Sequence, residues 1–179
     1  ARLSNESPSR RALREELARW TTSLTALVVS SFGALGMPTA AKGHRCHALP
    51  IAREEYLSLD VMAFSASSAG WRPPQVVCEL ENSAKESLIA YSLWKVLCVR
   101  CELRVVFCYR AKPADAAGLV GGLAEQVIAP IDVGVRQNLG GETLVIVGSR
   151  AEADTFPYAF FSLWKLNLNT GRFERFARP

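Results

Sequence analysis

Residues 75–87 read Gln-Val-Val-Cys-Glu-Leu-Glu-Asn-Ser-Ala-Lys-Glu-Ser, and this stretch joins a strand, two acids and the start of a helix. In an extended chain Val76, Cys78 and Leu80 share one face and Val77, Glu79 and Glu81 the other. Asn82 and Ser83 are natural helix caps, and Glu86, three residues after Ser83, has the spacing of a capping box. A helix is therefore expected to about Cys98, with Ile89, Leu93, Val96 and Leu97 on its buried face. Leu103 to Tyr109 reads as another strand, ended by Lys112-Pro113. Strand, helix and strand in this order predict a right-handed parallel crossover.

Upstream, Leu57, Leu59, Val61 and Ala63 alternate with Ser58, Asp60, Met62 and Phe64, which predicts a strand over Tyr56–Phe64 with Asp60 in its middle. Residues 65–74 contain Gly70 and Pro73-Pro74 and read as turn. The region from Thr39 to Ile51, which holds both histidines, reads as an irregular connection or a short edge strand. Ser7-Pro8-Ser9 can cap a helix running from about Arg10, with Leu13, Leu17, Trp20, Leu24, Leu27 and Val28 on one stripe, until Gly33, Gly36 and Pro38 stop it. Downstream come a Gly-rich helix over Asp115–Ile128, an apolar strand over Thr143–Val147, and a hairpin over Tyr158–Phe176 turning at Asn169-Thr170-Gly171. The expectation is an α/β protein: a central mixed sheet flanked by helices, as a single domain over 1–179 with its core at about 7–110 and an extension over 111–179.

The 179 residues are 49% hydrophobic and 21% charged, enough apolar material for a packed core and too much for a disordered chain. Subtracting 17 acids from 21 Lys and Arg leaves +4, which permits a nucleic-acid partner without demanding one. The longest apolar stretch, Leu24 to Leu35, is interrupted by Thr25, Ser30, Ser31 and Gly33 and is too short to cross a bilayer, so no membrane partner is expected. Five cysteines without a paired framework point to a reducing compartment, the cytoplasm.

Chemistry is expected where acids sit on otherwise apolar strands, because a buried carboxylate is costly unless it is paired or bound to a cation. Asp60, Glu79 and Glu81 are such acids. Glu79 and Glu81 share a face, and a hairpin between the strands would bring Asp60 opposite them. Three converging carboxylates would make an oxygen-rich site for Mg²⁺ or Mn²⁺. The plainer alternative is that the strands are edges and the acids face water.

An Asp on one strand, a turn of Gly and Pro, and Glu79-Leu80-Glu81-Asn82 leading into a helix resemble the metal-binding core of the PD-(D/E)XK nuclease superfamily, the restriction-endonuclease-like fold. The resemblance covers Ser7 to about Tyr109. It implies a three-layer sandwich in which Asp60 and Glu79 hold Mg²⁺ or Mn²⁺, the Leu80 carbonyl completes the ligand set, and Glu16 of the first helix assists. It further implies hydrolysis of nucleic-acid phosphodiester bonds, with DNA as partner, and leaves a homodimer open. The sequence departs from the family in carrying E-x-E where E-x-K is usual. Glu81 would then orient or deprotonate the attacking water, or hold a second ion, while Lys85 or Lys95 would supply a displaced positive charge. The alternative is a non-catalytic nucleic-acid or protein interaction module on a decayed nuclease fold.

Two other groupings compete. Cys98-Val-Arg-Cys101 with His44, Cys46 and His47 could form a zinc set, although one C-x-x-C alone is a weak signal. Arg10, Arg11, Arg14 and Arg19, and again Lys165, Arg172, Arg175 and Arg178, could neutralise phosphates or simply solubilise. No P-loop, dinucleotide fingerprint, nucleophile elbow or zinc-protease motif is present.

Overall fold

The computed structural model describes residues 8–66, 70–156 and 160–176; the side chains of residues 8–15, 17 and 155 lie outside the description, as does the cap expected at Ser7. The elements are α1 (Pro8–Ala34), β1 (Thr39–Ala41), β2 (Val61–Ala63), β3 (Val76–Leu80), α2 (Glu86–Leu97), β4 (Leu103–Arg110), α3 (Asp115–Leu123), α4 (Val133–Gln137), β5 (Glu142–Ser149), β6 (Phe161–Asn167) and β7 (Arg172–Phe176). The strands form one mixed sheet in chain order. β1, β2 and β3 are an antiparallel meander, β3, β4 and β5 are parallel, and β5, β6 and β7 are antiparallel again.

The parallel steps need crossovers, and the helices supply them. α2 joins β3 to β4, and α3 continues through one wide helical turn at Ala124–Ile128 and through α4 before β5. Both crossovers cover one face, where Val77, Val106, Val145 and Val147 meet Ile89, Leu93, Leu119 and Leu123. α1 covers the other, packing Leu24 and Val28 near Val61, Cys78 and Val105. With helices on both sides every residue of β3 is buried, the acid Glu79 included.

Three local expectations are corrected. The alternation over Tyr56–Phe64 overstates the strand: only Val61–Ala63 pairs, Leu57 and Ser58 take positive φ, and Leu57 is exposed. Asp60 thus stands at the entrance of β2 rather than mid-strand. The capping box does not form, because α2 begins at Glu86; the Ser83 hydroxyl accepts from the Lys85 N–H, and Glu86 pairs with Arg110. In α1, Leu27 is exposed beside the buried Leu24 and Val28, so the stripe is narrower than its spacing suggests.

Residues after Arg110 add three strands to the same sheet, β4 and β5 being paired along eight residues. Two buried arginines fasten this half. Arg104, almost wholly buried in β4, donates to the carbonyls of Val99, Leu139 and Gly140. Arg136 of α4 donates to Leu168 and Asn169 and lies over Gly171 at the β6–β7 turn, where φ is +69° and a Cβ would come within 2.6 Å of the guanidinium. Among the described residues no helix is long and apolar enough to cross a membrane.

Candidate functional site

Antiparallel pairing of β2 with β3 sets Val61 against Cys78, so the next step along brings Asp60 beside Glu79. The Leu80 N–H donates to Asp60 Oδ2 at 2.8 Å, and the Asp60 N–H points at Glu79 Oε1 at 3.3 Å. Glu79 faces the α2 side and is only 4% exposed. Two side chains of α2 reach it: Lys95 Nζ lies 2.7 Å from Glu79 Oε2, and the Ser92 hydroxyl donates to the same oxygen at 3.4 Å. Ser92 and Lys95 are one helical turn apart, so a single face of α2 presents both.

Burial pushes the Glu79 carboxyl above its ordinary range; the Lys95 hydrogen bond opposes that shift and the charge of Asp60 adds to it. Lys95 also donates to the Ser58 carbonyl at 2.8 Å. That carbonyl belongs to the Leu57-Ser58 pair at φ +56° and +54°, a left-handed conformation that costs side-chain-bearing residues about 1–3 kcal/mol each. The strained turn lies two residues before Asp60, and it ties Lys95 to the segment that positions that acid. An ammonium has three N–H groups. The third on Lys95 has no hydrogen-bond acceptor among the described residues, and the Tyr91 ring lies 5.9 Å away.

The structure brings some of the anticipated residues together and not others. Asp60 and Glu79 meet. Leu80 turns its N–H to Asp60, and in an extended strand its carbonyl leaves on the same edge. Glu81 does not join them: its N–H donates to Phe107, and its Oε1 accepts from the Ser83 N–H at 2.7 Å, so it serves the loop into α2. The expected convergence of three carboxylates is therefore not formed, and among the described residues no group of three or more His, Cys, Asp and Glu is placed to hold a metal ion. Glu16 is exposed on α1, the helix of the opposite face, and lines a cavity of about 250 Å³ with Trp20, Asn82, Tyr109 and Arg150. Lys85 is exposed ahead of α2, and the cation at the acids is Lys95. The zinc grouping does not assemble either: Cys98 and His47 are exposed, while Cys101 is buried with its thiol directed at the Val99 and Leu103 carbonyls.

The acids lie at the carboxyl end of β3, the end of a parallel sheet where open α/β proteins place their sites. Arg110 ends β4 and Arg150 follows β5 at the same end; Arg110 pairs with Glu86 at 3.0 Å, and Arg150 donates to the Asn82 carbonyl. Beside Lys95, Tyr91 and Trp94 stack at 5.9 Å and are both more than half exposed. The two carboxylates beside the Leu80 backbone are oxygen donors of the kind hard divalent cations take, and Lys95 already stands on one of them. A scan against protein-family models and searches of curated proteins and of solved structures return no match to this chain.

Proposed function

We propose that the chain is a metal-dependent phosphodiesterase of the PD-(D/E)XK nuclease type, acting on nucleic acid and on DNA first, in which Lys95 of α2 takes the place of the lysine missing from the E-x-E strand. The observation that carries this reading is the cluster Asp60–Glu79–Lys95: two acids from adjacent strands and a lysine from the following helix, meeting at the carboxyl end of the sheet. The element order supports it, because a helix, an antiparallel three-stranded meander, a helix and a parallel fourth strand is the restriction-endonuclease-like order.

Asp60, Glu79 and the Leu80 carbonyl would hold the ion. Bound Mg²⁺ or Mn²⁺ supplies neutralisation of phosphate charge and a water of lowered pKa. The chain's own residues do the rest. Ser92 fixes the Glu79 carboxylate, and the Leu80 N–H fixes that of Asp60. The free N–H of Lys95 orients the attacking water or a phosphoryl oxygen, and its charge opposes the negative charge that builds up during attack. Arg110 and Arg150 draw a polyanion toward this end of the sheet.

The second reading, a non-catalytic nucleic-acid or protein interaction module on the same fold, is favoured by one observation: Glu81 serves its loop, leaving two carboxylates where three were expected. Calorimetric titration with Mn²⁺ separates the two. The catalytic reading requires one saturable site at neutral pH in the native chain, lost in Asp60→Ala and in Glu79→Ala. Absence of Mn²⁺ binding in the native chain, with nucleic-acid binding intact, would favour the module instead.

A further inference from the structure

A cleft of about 930 Å³ opens at the same end of the sheet, between the start of α3, the end of β5 and the β6–β7 edge. Its floor holds Ser149, which is 4% exposed and whose hydroxyl has no hydrogen-bond partner. An orphaned buried hydroxyl is costly, on the order of 1–3 kcal/mol, so its presence calls for an acceptor or donor arriving from outside. Lys112 and Arg175 stand at the rim, and neither charged group has a hydrogen-bond or ion-pair partner among the described residues. Among the described residues no acid lines the cleft, and Trp164, paired with Arg175 across β6–β7 and partly exposed, presents aromatic surface on the same sheet face.

Ser149 pairs with Arg110 across β4–β5, and it shares the sheet face of Val145 and Val147, which is also the face of Glu79. The cleft therefore lies at the same end of the sheet as the proposed catalytic cluster, Ser149 being two strands across from Glu79 and four residues further along, about 16 Å at the usual strand spacing and rise. We propose that it is a subsite for one nucleotide of a nucleic-acid strand. Lys112 and Arg175 neutralise the two phosphates that flank the nucleotide, the Ser149 hydroxyl donates to a phosphate oxygen, and Trp164 offers its ring to the base. Two unpaired cations, a buried donor and a partly exposed aromatic ring are what a single strand requires: charge for its backbone and a platform for its bases. The identity of the occupant rests on the proposed function, whereas its phosphate chemistry rests on the cleft alone.

The test is binding of a short fluorescein-labelled single-stranded DNA oligonucleotide in EDTA, followed by anisotropy over a salt series, so that neither metal nor cleavage contributes. The double variant Lys112→Gln/Arg175→Gln is expected to bind about tenfold or more weaker, with the slope of log K against log salt reduced by about 1.4, the share of two single-strand phosphates. Ser149→Ala is expected to bind about fivefold weaker with its slope unchanged, the loss of one hydrogen bond. Inorganic phosphate and thymidine monophosphate are run as competitors. The proposal is overturned if the native chain does not bind the oligonucleotide, if the double variant binds with native affinity and slope, or if the small anions compete more strongly than an unlabelled strand. A cleavage assay in Mg²⁺ reads the proposed function separately: no cleavage with binding intact removes the hydrolase and leaves the cleft standing. Cleavage by the native chain, with native binding by the double variant, removes the cleft and leaves the hydrolase.

Discussion

Lys95 Nζ stands 2.7 Å from Glu79 Oε2, joining a helix to the strand whose own sequence offers a second glutamate where the nuclease family it resembles carries lysine. Under the proposed function the pair answers two needs at once. A carboxylate buried as deeply as Glu79 requires a cation, and hydrolysis of a phosphodiester requires positive charge near the attacked phosphorus. Because Ser58 also accepts from Lys95, the same ammonium anchors the turn that delivers Asp60.

These two roles can be separated by mutation. Lys95→Met should lower Mg²⁺-dependent hydrolysis by about a hundredfold or more, and should cost about 1–3 kcal/mol of stability by leaving Glu79 buried without its partner. The double variant Glu79→Gln/Lys95→Met removes both charges, so it should regain most of the stability in urea denaturation while staying inactive. If Lys95→Met hydrolyses DNA at the native rate, Lys95 has no catalytic part.

Alkaline pH should destabilise the fold. Burial pushes the Cys108 thiol up to about 12 from an ordinary 9.0, and the Cys78 thiol further still. Burial likewise raises the Tyr109 phenol to about 12 from 10.0, against the opposing hydrogen bond it accepts from Trp20 Nε1. The folded chain holds these protons while the unfolded chain releases them, so their contribution is complete below pH 9 and is lost as pH rises toward 12. Denaturation midpoints should fall across that range, and Tyr109→Phe should flatten the fall between pH 10 and 12.

Thiol reactivity should single out one residue. Cys46, Cys78, Cys101 and Cys108 are buried and Cys98 is exposed, so a native protein treated with an aromatic disulfide should react quickly at one thiol and at all five only after denaturation. Cys98→Ser should abolish the fast phase. Two or more fast thiols would contradict the packing around α2 and β4.

Arg104→Met should be among the most damaging single changes. It leaves the carbonyls of Val99, Leu139 and Gly140 without their donor in a site closed to water, at a cost of about 3 kcal/mol or more. Denaturant titration reads this directly, and a loss below about 1 kcal/mol would show that the carbonyls find other donors.

Much of this was legible in the chain, for reasons tied to particular residues. Strand-like stretches at Val76–Leu80 and Leu103–Arg110, apolar apart from Glu79, Arg104 and Arg110, with a periodic helix between them, specify a parallel crossover, and that unit is present. Asn169-Thr170-Gly171 marks a turn whose positive φ glycine requires, and the hairpin forms there. The segment before Asp60 was not legible, because its alternation of apolar and polar residues mimics a strand while Leu57 and Ser58 take the left-handed conformation. The neighbourhood of Asp60 and Glu79 follows from strand register. The direction of Glu81 does not, because a local N–H from Ser83 outcompetes the shared face. Lys95 could be named as one of two lysines on a helix, but the choice between it and Lys85 depends on where α2 starts. The absent capping box moves that start to Glu86. Ser149 gives no sequence signal at all; only the closure of β5 against β6 reveals its hydroxyl as buried and unpartnered.

The central claim is tested most directly by incubating supercoiled DNA with the native chain, Asp60→Ala, Glu79→Ala and Lys95→Met, in Mg²⁺, in Mn²⁺ and in EDTA, and following the nicked and linear products. The account predicts cleavage by the native chain only when a divalent ion is present, and its loss in all three variants, each still folded by circular dichroism. Cleavage that persists in EDTA, or that survives unchanged in Asp60→Ala or Glu79→Ala, would contradict it.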